Sequence, residues 1–306
     1  MQLSVAYVTM CVRCLFRGAE FRPDYRSVAS LRSIFSSAAC VCLSGTVTKT
    51  VLDDVLHIPQ LHRQDVHVSA LLPDRPNIYI DVRHAVTYTM DQLAWLADEL
   101  ENKELDFPKT VVFASSINTV SEIYSWLRYR LKNKAYVTST VTNDMCMISM
   151  YHAHISNDLQ QHVLEHFRQP NSVIRLLICT IAFGMGVEIG DIKRVIHWGK
   201  VQSLLVFWQE VGRCGRDGSP AHAIWYPASV AGPDHNVLKT VKKAEQCIRE
   251  TILRTFSITD EDKDELQQLS MRRACSRSVK CEHCTCRMCS CCSYCRSQCQ
   301  CAVSEE

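Results

Sequence analysis

The stretch Thr180–Gly218, TIAFGMGVEIGDIKRVIHWGKVQSLLVFWQEVGRCGRDG, decides how the rest of the chain is read. It leaves the apolar run IRLLICT (174–180), which is short and followed at once by glycines. Such a run reads as a strand buried on both faces. RVIHW (194–198) is another strand, SLLVFWQEVGRC (203–214) a helix, and HAIWYP (222–227) a last strand. Upstream the alternation continues. TVVFAS (110–115) is a strand, and NTVSEIYSWLRYRL (118–131) sets Val120, Ile123, Trp126, Leu127 and Leu131 at helical spacing. MISMYHA (147–153) is a strand, and SNDLQQHVLEHF (156–167) a helix with Ser156 as its N-cap. Strands alternating with helices predict an α/β fold with a parallel sheet covered on both faces.

Within the opening stretch, Arg213 and Arg216 stand among Gly212, Gly215 and Gly218. Arginine is always charged, and its planar fork of donors fits a phosphoryl group. The glycines permit close backbone approach. The same pattern also fits a surface turn with solvated arginines. FGMGVEIGDI, with Gly184, Gly186 and Glu188, follows a strand and is expected at the carboxyl end of the sheet, where such sheets bind ligands.

The flanks are organised differently. DYRSVASLRSIF (24–35) and TVTKTVLDDVLHI (46–58) read as helices around a short strand, ACVCLSG (39–45). Pro73 and Pro76 punctuate the approach to the alternating NIYIDV (77–82). NVLKTVKKAEQCIRETILRTF (236–256) reads as a helix pair, TDEDKDELQQLS (259–270) as acidic and solvated. Of 18 cysteines in 306 residues, nine lie between Cys281 and Cys301. Net charge is +2, so any nucleic-acid contact must be a local patch rather than a global field. The chain has no run of 18 apolar residues, and MQLSVAYVTMCV reads as a strand, so no membrane partner or signal peptide is expected.

Together, TIAFGMGVEIGDIKRVIHW and WQEVGRCGRDG closely resemble motifs V and VI of RecQ-type superfamily 2 DNA helicases. TVVFASSINTVSEIYSWL is similar to motif IV, MYHAHISNDLQQHVLEHF to the segment after it, DRPNIYIDV to the link between motor lobes, and LSGTVT to motif III. The resemblance implies three parts: the end of a first RecA-like lobe (1–80), a complete second lobe (81–228) and a helical zinc module (229–306). It implies ATP with Mg²⁺ between the lobes, DNA as partner, 3′–5′ polarity, and a nuclear or nucleoid location. Arg213 and Arg216 would reach the phosphates, Gln209 would couple nucleotide to closure, and Gly184, Gly186, Glu188, Gly212 and Gly215 would line the nucleotide. Ser116, His152 and Thr180 would face the nucleic acid, and Ser44, Thr46 and Thr48 would link hydrolysis to movement.

Departures from the family limit what the 306 residues do alone. A P-loop needs G-x-x-x-x-G-K-[ST], whose backbone donors and lysine hold the phosphates. At the one Gly-Lys pair, Gly199-Lys200, Arg194 stands where the first glycine belongs. The acidic box should fall near Thr9–Val12, which carries no carboxylate. The expectation is a chain without ATPase or unwinding activity by itself, its P-loop and acidic box encoded upstream or on another chain. The alternatives are a non-catalytic module that binds DNA or protein, or a degenerate relic.

In the tail, Cys281–Cys284, Cys286–Cys289, Cys289–Cys292 and Cys292–Cys295 all have C-x-x-C spacing, which lets one turn present two sulfurs to a metal. By resemblance, Cys247 is an upstream zinc ligand. Cys281, Cys284 and Cys289 are chosen as the other three, with Cys275 and Cys286 as rivals. Nine thiols also exceed one ion's need.

Overall fold

The computed structural model describes residues 10–11, 41–57, 64, 66–84, 89–137, 145–184, 188–228, 234–271, 286 and 288–299. The chain divides into two compact units: 1–74 with 252–272, and 75–251 with 273–306.

The first unit contains a short parallel pair, β1 (Met10–Cys11) and β2 (Cys42–Leu43), and helix α1 (Lys49–His57). The helix expected over 24–35 lies outside the described residues. Ser44 Oγ donates to Thr46 O at 2.9 Å, and Thr48 Oγ1 accepts from Val51 N at 3.3 Å. These hydroxyls shape the turn into α1.

The second unit is built on a six-stranded, all-parallel sheet. In chain order its elements are β3 (Ile78–Val82), α2 (Ala94–Lys103), β4 (Thr110–Ala114), α3 (Ile117–Leu131), β5 (Ile148–Tyr151), α4 (Asn157–Arg168), β6 (Leu176–Cys179), β7 (Arg194–Trp198), α5 (Leu204–Val211) and β8 (Ala221–Tyr226). Strand order is β3-β8-β7-β4-β6-β5, so the chain reverses direction across the sheet around β4. The expected boundary at 80/81 falls inside β3, which is an edge strand of this sheet; the unit begins at Arg75.

Strand pleating sorts side chains by parity. Val112, Ala114, Ile178, Ile196, Trp198 and Ile224 pack with α2 and α3 through Leu96, Leu100, Val120, Ile123 and Leu127. On the other face Phe113, His197 and Trp225 lie in register across β4, β7 and β8 and meet Phe183 and Phe207. Helix α3 starts where Ser116 Oγ accepts from Thr119 N at 3.1 Å, and it ends at Lys132, whose φ is +48°. Its stripe Val120, Ile123, Leu127 and Leu131 is buried, a gain of roughly 6–12 kcal/mol over leaving all four in water. Ser156 and Ser203 cap α4 and α5 in the same way. Helix α5 is buried along nearly its whole length, because it lies between β7 and β8 in the chain and covers them.

The C-terminal helices are α6 (His235–Lys243), α7 (Ile248–Phe256), α8 (Asp260–Met271) and the short α9 (Ser293–Ser297). The division between units falls within α7. The acidic stretch read as solvated forms α8, its first turn opened by Asp262 Oδ2 accepting from Ile258 N and Thr259 N, both at 2.9 Å. The cysteine segment closes the β3 edge of the sheet: Ile80 bridges to Cys292, and Val82 N donates to Ser293 Oγ at 3.3 Å. An open edge is thereby covered. No helix among the described residues is long and apolar enough to cross a membrane.

Candidate functional site

The arginine loop, Gly212–Gly218, leaves α5 and enters β8, so it lies at the amino ends of the strands. Gly215 N donates to Ile192 O at 2.8 Å, just ahead of β7. Gly215 has φ +60°, and a Cβ there would meet Asn77 Nδ2 at 2.5 Å and Ala221 Cβ at 2.9 Å. Glycine is required by both conformation and space.

Two residues from the stretch before β3 hold this loop by its carbonyls. Arg75 donates to Gly215 O at 2.7 Å and Gly212 O at 3.3 Å. Asn77 Nδ2 donates to Gly215 O and Ser219 O, both at 2.8 Å. Beyond the loop's apex, Asp217 pairs with Lys193 at 2.5 Å and accepts from Ser219 N at 3.1 Å. The Lys193 hydrogen bond holds the Asp217 carboxyl well below the usual carboxylate range. The loop is therefore fixed while Arg216 is exposed, its Nε making a long 3.4 Å bond to Gly212 O. Arg213 is half-buried at the foot of α5, beside the half-buried Gln209. The next residue, Glu210, meets His197 Nε2 at 3.0 Å, and both side chains are buried. That pair ties the last turn of α5 to β7.

A second set of candidates occupies the opposite end of the sheet. Ser116 follows β4, His152 follows β5 and Thr180 follows β6, and these three strands are neighbours. The carboxyl ends of adjacent parallel strands thus bring three residues far apart in sequence onto one rim. Ser116 Oγ is engaged as the α3 cap. Thr180 N donates to Tyr151 O at 3.2 Å, which links the ends of β5 and β6. His152 is buried, its Nδ1 accepting from His154 N at 3.3 Å. Burial, with His154 beside it, holds its imidazole below the ordinary histidine range.

The glycine-rich segment joins the two ends. It starts at the carboxyl rim with Thr180 and the turn closed by Gly184. Gly186 lies outside the described residues. Glu188 is exposed, and Asp191 is already at the amino end, paired at 2.8 Å with Lys109 just ahead of β4. Thr180 to Gly184 thus lie at the carboxyl end, where the segment was expected to sit, and by Asp191 the chain is at the amino end.

Cys247, at the start of α7, meets Cys291, Cys292 and Cys295, all four sulfurs within 4.8 Å of one another. Cys289 belongs to another group, with Cys286 and Cys299. Cys281 and Cys284, chosen from the sequence, and the rival Cys275 lie outside the described residues. The Cys247 and Cys291 sulfurs are 3.8 Å apart. Two thiolates on one tetrahedral zinc, with bonds of about 2.3 Å, stand about 3.8 Å apart. The four cysteines can hold a metal ion.

Arg249, in the first turn of α7, connects this cluster to the arginine loop. It is buried and donates to Arg75 O at 2.8 Å, to Ile78 O and to Cys291 O at 3.4 Å. Arg75, Asn77 and Arg249 escape a motif reading because they contact backbone carbonyls, which leave no trace in residue spacing. The one available signal was polar residues packed between Pro73, Pro76 and an apolar strand.

Residues 91–218 match the helicase conserved C-terminal domain. The chain is similar to ATP-dependent DNA helicase Q-like 2 of Arabidopsis thaliana, 28% identical over 239 residues, which covers 76% of this chain and 30% of that protein. It is similar to ATP-dependent DNA helicase RecQ of Haemophilus influenzae, 27% identical over 216 residues, covering 70% of this chain and 31% of that one. The chain thus spans less than a third of the length of either relative. Its fold resembles that of S. cerevisiae Dbp5 bound to RNA and ADP BeF3, with TM-score 0.54 and 16% identity over 89% of this chain and 64% of that one. Residues 91–218 thus carry a helicase conserved C-terminal domain on a parallel RecA-like sheet, and the chain is similar to the RecQ-type helicases.

Proposed function

We propose that the chain serves as the second motor lobe and zinc module of a RecQ-type, ATP-dependent 3′–5′ DNA helicase, and that the 306 residues alone do not hydrolyse ATP. The observation that carries this reading is the arginine loop, rigidly clamped by Arg75 and Asn77 with Arg216 exposed. A fixed arginine can stabilise charge on a transferring phosphoryl group without reorganising when the charge develops. Arg213 and Arg216 are the residues assigned to the phosphates, Gln209 to coupling nucleotide state with closure, and Glu188 to the nucleotide. Mg²⁺ and most phosphate contacts would come from a lobe carrying a P-loop, a pattern these residues lack. The rim of Ser116, His152 and Thr180 is assigned to the DNA backbone, on the end of the sheet away from the arginines. Nucleotide and strand would then be bound at opposite ends of one rigid sheet.

Cys247, Cys291, Cys292 and Cys295 are the zinc ligands in this reading. Such an ion supplies folding free energy and takes no part in hydrolysis.

The test is ATP hydrolysis and 3′-tailed duplex binding by the purified 306-residue chain. Expected are background hydrolysis with or without DNA, and salt-dependent DNA binding. DNA-stimulated hydrolysis that disappears in Arg216→Ala would overturn the claim of inactivity. Absence of DNA binding by zinc-loaded protein would favour a protein-binding module.

A further inference from the structure

Three further cysteines among the described residues of the tail form a second group that the first cluster does not use. Cys286, Cys289 and Cys299 place their sulfurs within 4.8 Å of one another. Cys289 is 7% exposed and Cys299 is fully buried, with Met288 packed against them. We infer that these three thiols form a second metal site, holding a zinc ion by three thiolates with one position left for a further donor.

Geometry favours a shared cation. The Cys286 and Cys299 sulfurs are 3.6 Å apart, close to the roughly 3.8 Å of two thiolates on one tetrahedral zinc. Cys286 and Cys289 occupy one tight turn, closed by Ser290 N donating to Cys286 O at 3.0 Å and Cys291 N to Met288 O at 3.3 Å. That turn presents both sulfurs to one side, as C-x-x-C ligand pairs do. Within it, Cys289 N donates to Cys286 Sγ at 3.3 Å. The same arrangement occurs in the first cluster, where Glu250 N donates to Cys247 Sγ at 3.4 Å. An amide aimed at sulfur stabilises the thiolate that a metal requires.

Chain topology keeps the two sites apart. Their ligands interleave: Cys286 and Cys289 go to the second site, Cys291, Cys292 and Cys295 to the first, and Cys299 returns to the second. Helix α9 carries Cys295, and the turn after it carries Cys299, placed by Cys299 N donating to Arg296 O at 3.1 Å. The short helix thus delivers one ligand to each ion. This accounts for more of the tail's thiols than one ion can use. A mostly polar segment without apolar periodicity gains two interleaved organising centres.

The experiment counts zinc on the reduced, full 306-residue chain by native mass spectrometry. The wild-type protein is expected to carry two ions. Cys299→Ser should carry one, and Cys299→His, which keeps a ligand, should carry two. Cobalt substitution gives an independent readout. Its thiolate charge-transfer band should reflect seven thiolates in the wild type and four in Cys299→Ser. Cys292→Ser strikes the first site, so a failure there is separate from a failure of the second. One ion in the wild type, or two in Cys299→Ser, overturns the inference. A Cys286–Cys299 disulfide mapped in protein carrying one ion does so as well. Should Cys299→Ser lose both ions by misfolding, Cys299→His decides: two ions support the site and fewer refute it.

Discussion

Replacing Gly215 by alanine tests whether the arginine loop is held as described. Gly215 and Gly218 both have positive φ, +60° and +80°. An L residue in that region costs about 1–2 kcal/mol. At Gly218 nothing lies within 4 Å of an added methyl, so conformation is the whole penalty. At Gly215 the methyl would stand 2.5 Å from Asn77 Nδ2, 2.9 Å from Ala221 Cβ and 3.1 Å from Ser219 O. Asn77 cannot swing aside without losing both its 2.8 Å bonds, each worth about 1 kcal/mol. Gly215→Ala should therefore cost roughly 3–4 kcal/mol in all. At about 2–4 °C per kcal/mol, melting should fall by roughly 6–16 °C, against roughly 2–8 °C for Gly218→Ala. The five tryptophans, Trp95, Trp126, Trp198, Trp208 and Trp225, all lie in the sheet-containing unit, so fluorescence melting reports that unit alone. Equal melting temperatures for the two variants would refute the clamp.

Three further outcomes follow from buried groups. Burial pushes the Cys214 thiol up to about 12, so it should resist alkylation at pH 8 until the protein unfolds; rapid labelling of native protein would contradict its packing. Because that folded value exceeds the ordinary 9.0, its contribution to stability is complete below pH 9.0 and is lost as pH rises toward 12. Glu210→Ala strips the buried partner from His197 and should lower stability by about 2–3 kcal/mol in urea. The His197→Phe, Glu210→Leu double variant should recover part of that, and a loss larger than the single variant's would refute the pairing. Arg249→Met removes the donors that join Arg75, Ile78 and Cys291, so a chelator should strip zinc faster than from the wild type; an unchanged rate would show that Arg249 does not brace the cluster.

Much of the sheet was legible because its strands are local signals. IRLLICT and TVVFAS are buried on both faces, so they read as continuous apolar runs, and both are strands in the structure. Helix α3 was legible from its stripe and Ser156 from its position before α4, since stripes and caps depend on neighbours a few residues away. Strand β3 was harder to assign. Its pattern marks a strand, but its membership in the second unit rests on pairing with β8, 143 residues later in register at Ile78 and Ala221.

The candidate site divides along the same line. Arg213, Arg216 and their glycines are readable because φ and reach are properties of a short loop. The chain by itself determined the alternating α/β architecture, the arginine loop and the presence of more thiols than one ion needs. Tertiary structure decided which thiols meet, because nine cysteines in a short tail permit many groupings with C-x-x-C spacing. Pairing of Cys292 with Ile80 at the sheet edge selects one of them. It also decided that Arg75 and Asn77 grip the loop and that Ser116, His152 and Thr180 share one rim. Those relations come from strand order and from bonds to backbone carbonyls, and every residue type has the same carbonyl, so no pattern of side chains could have announced them.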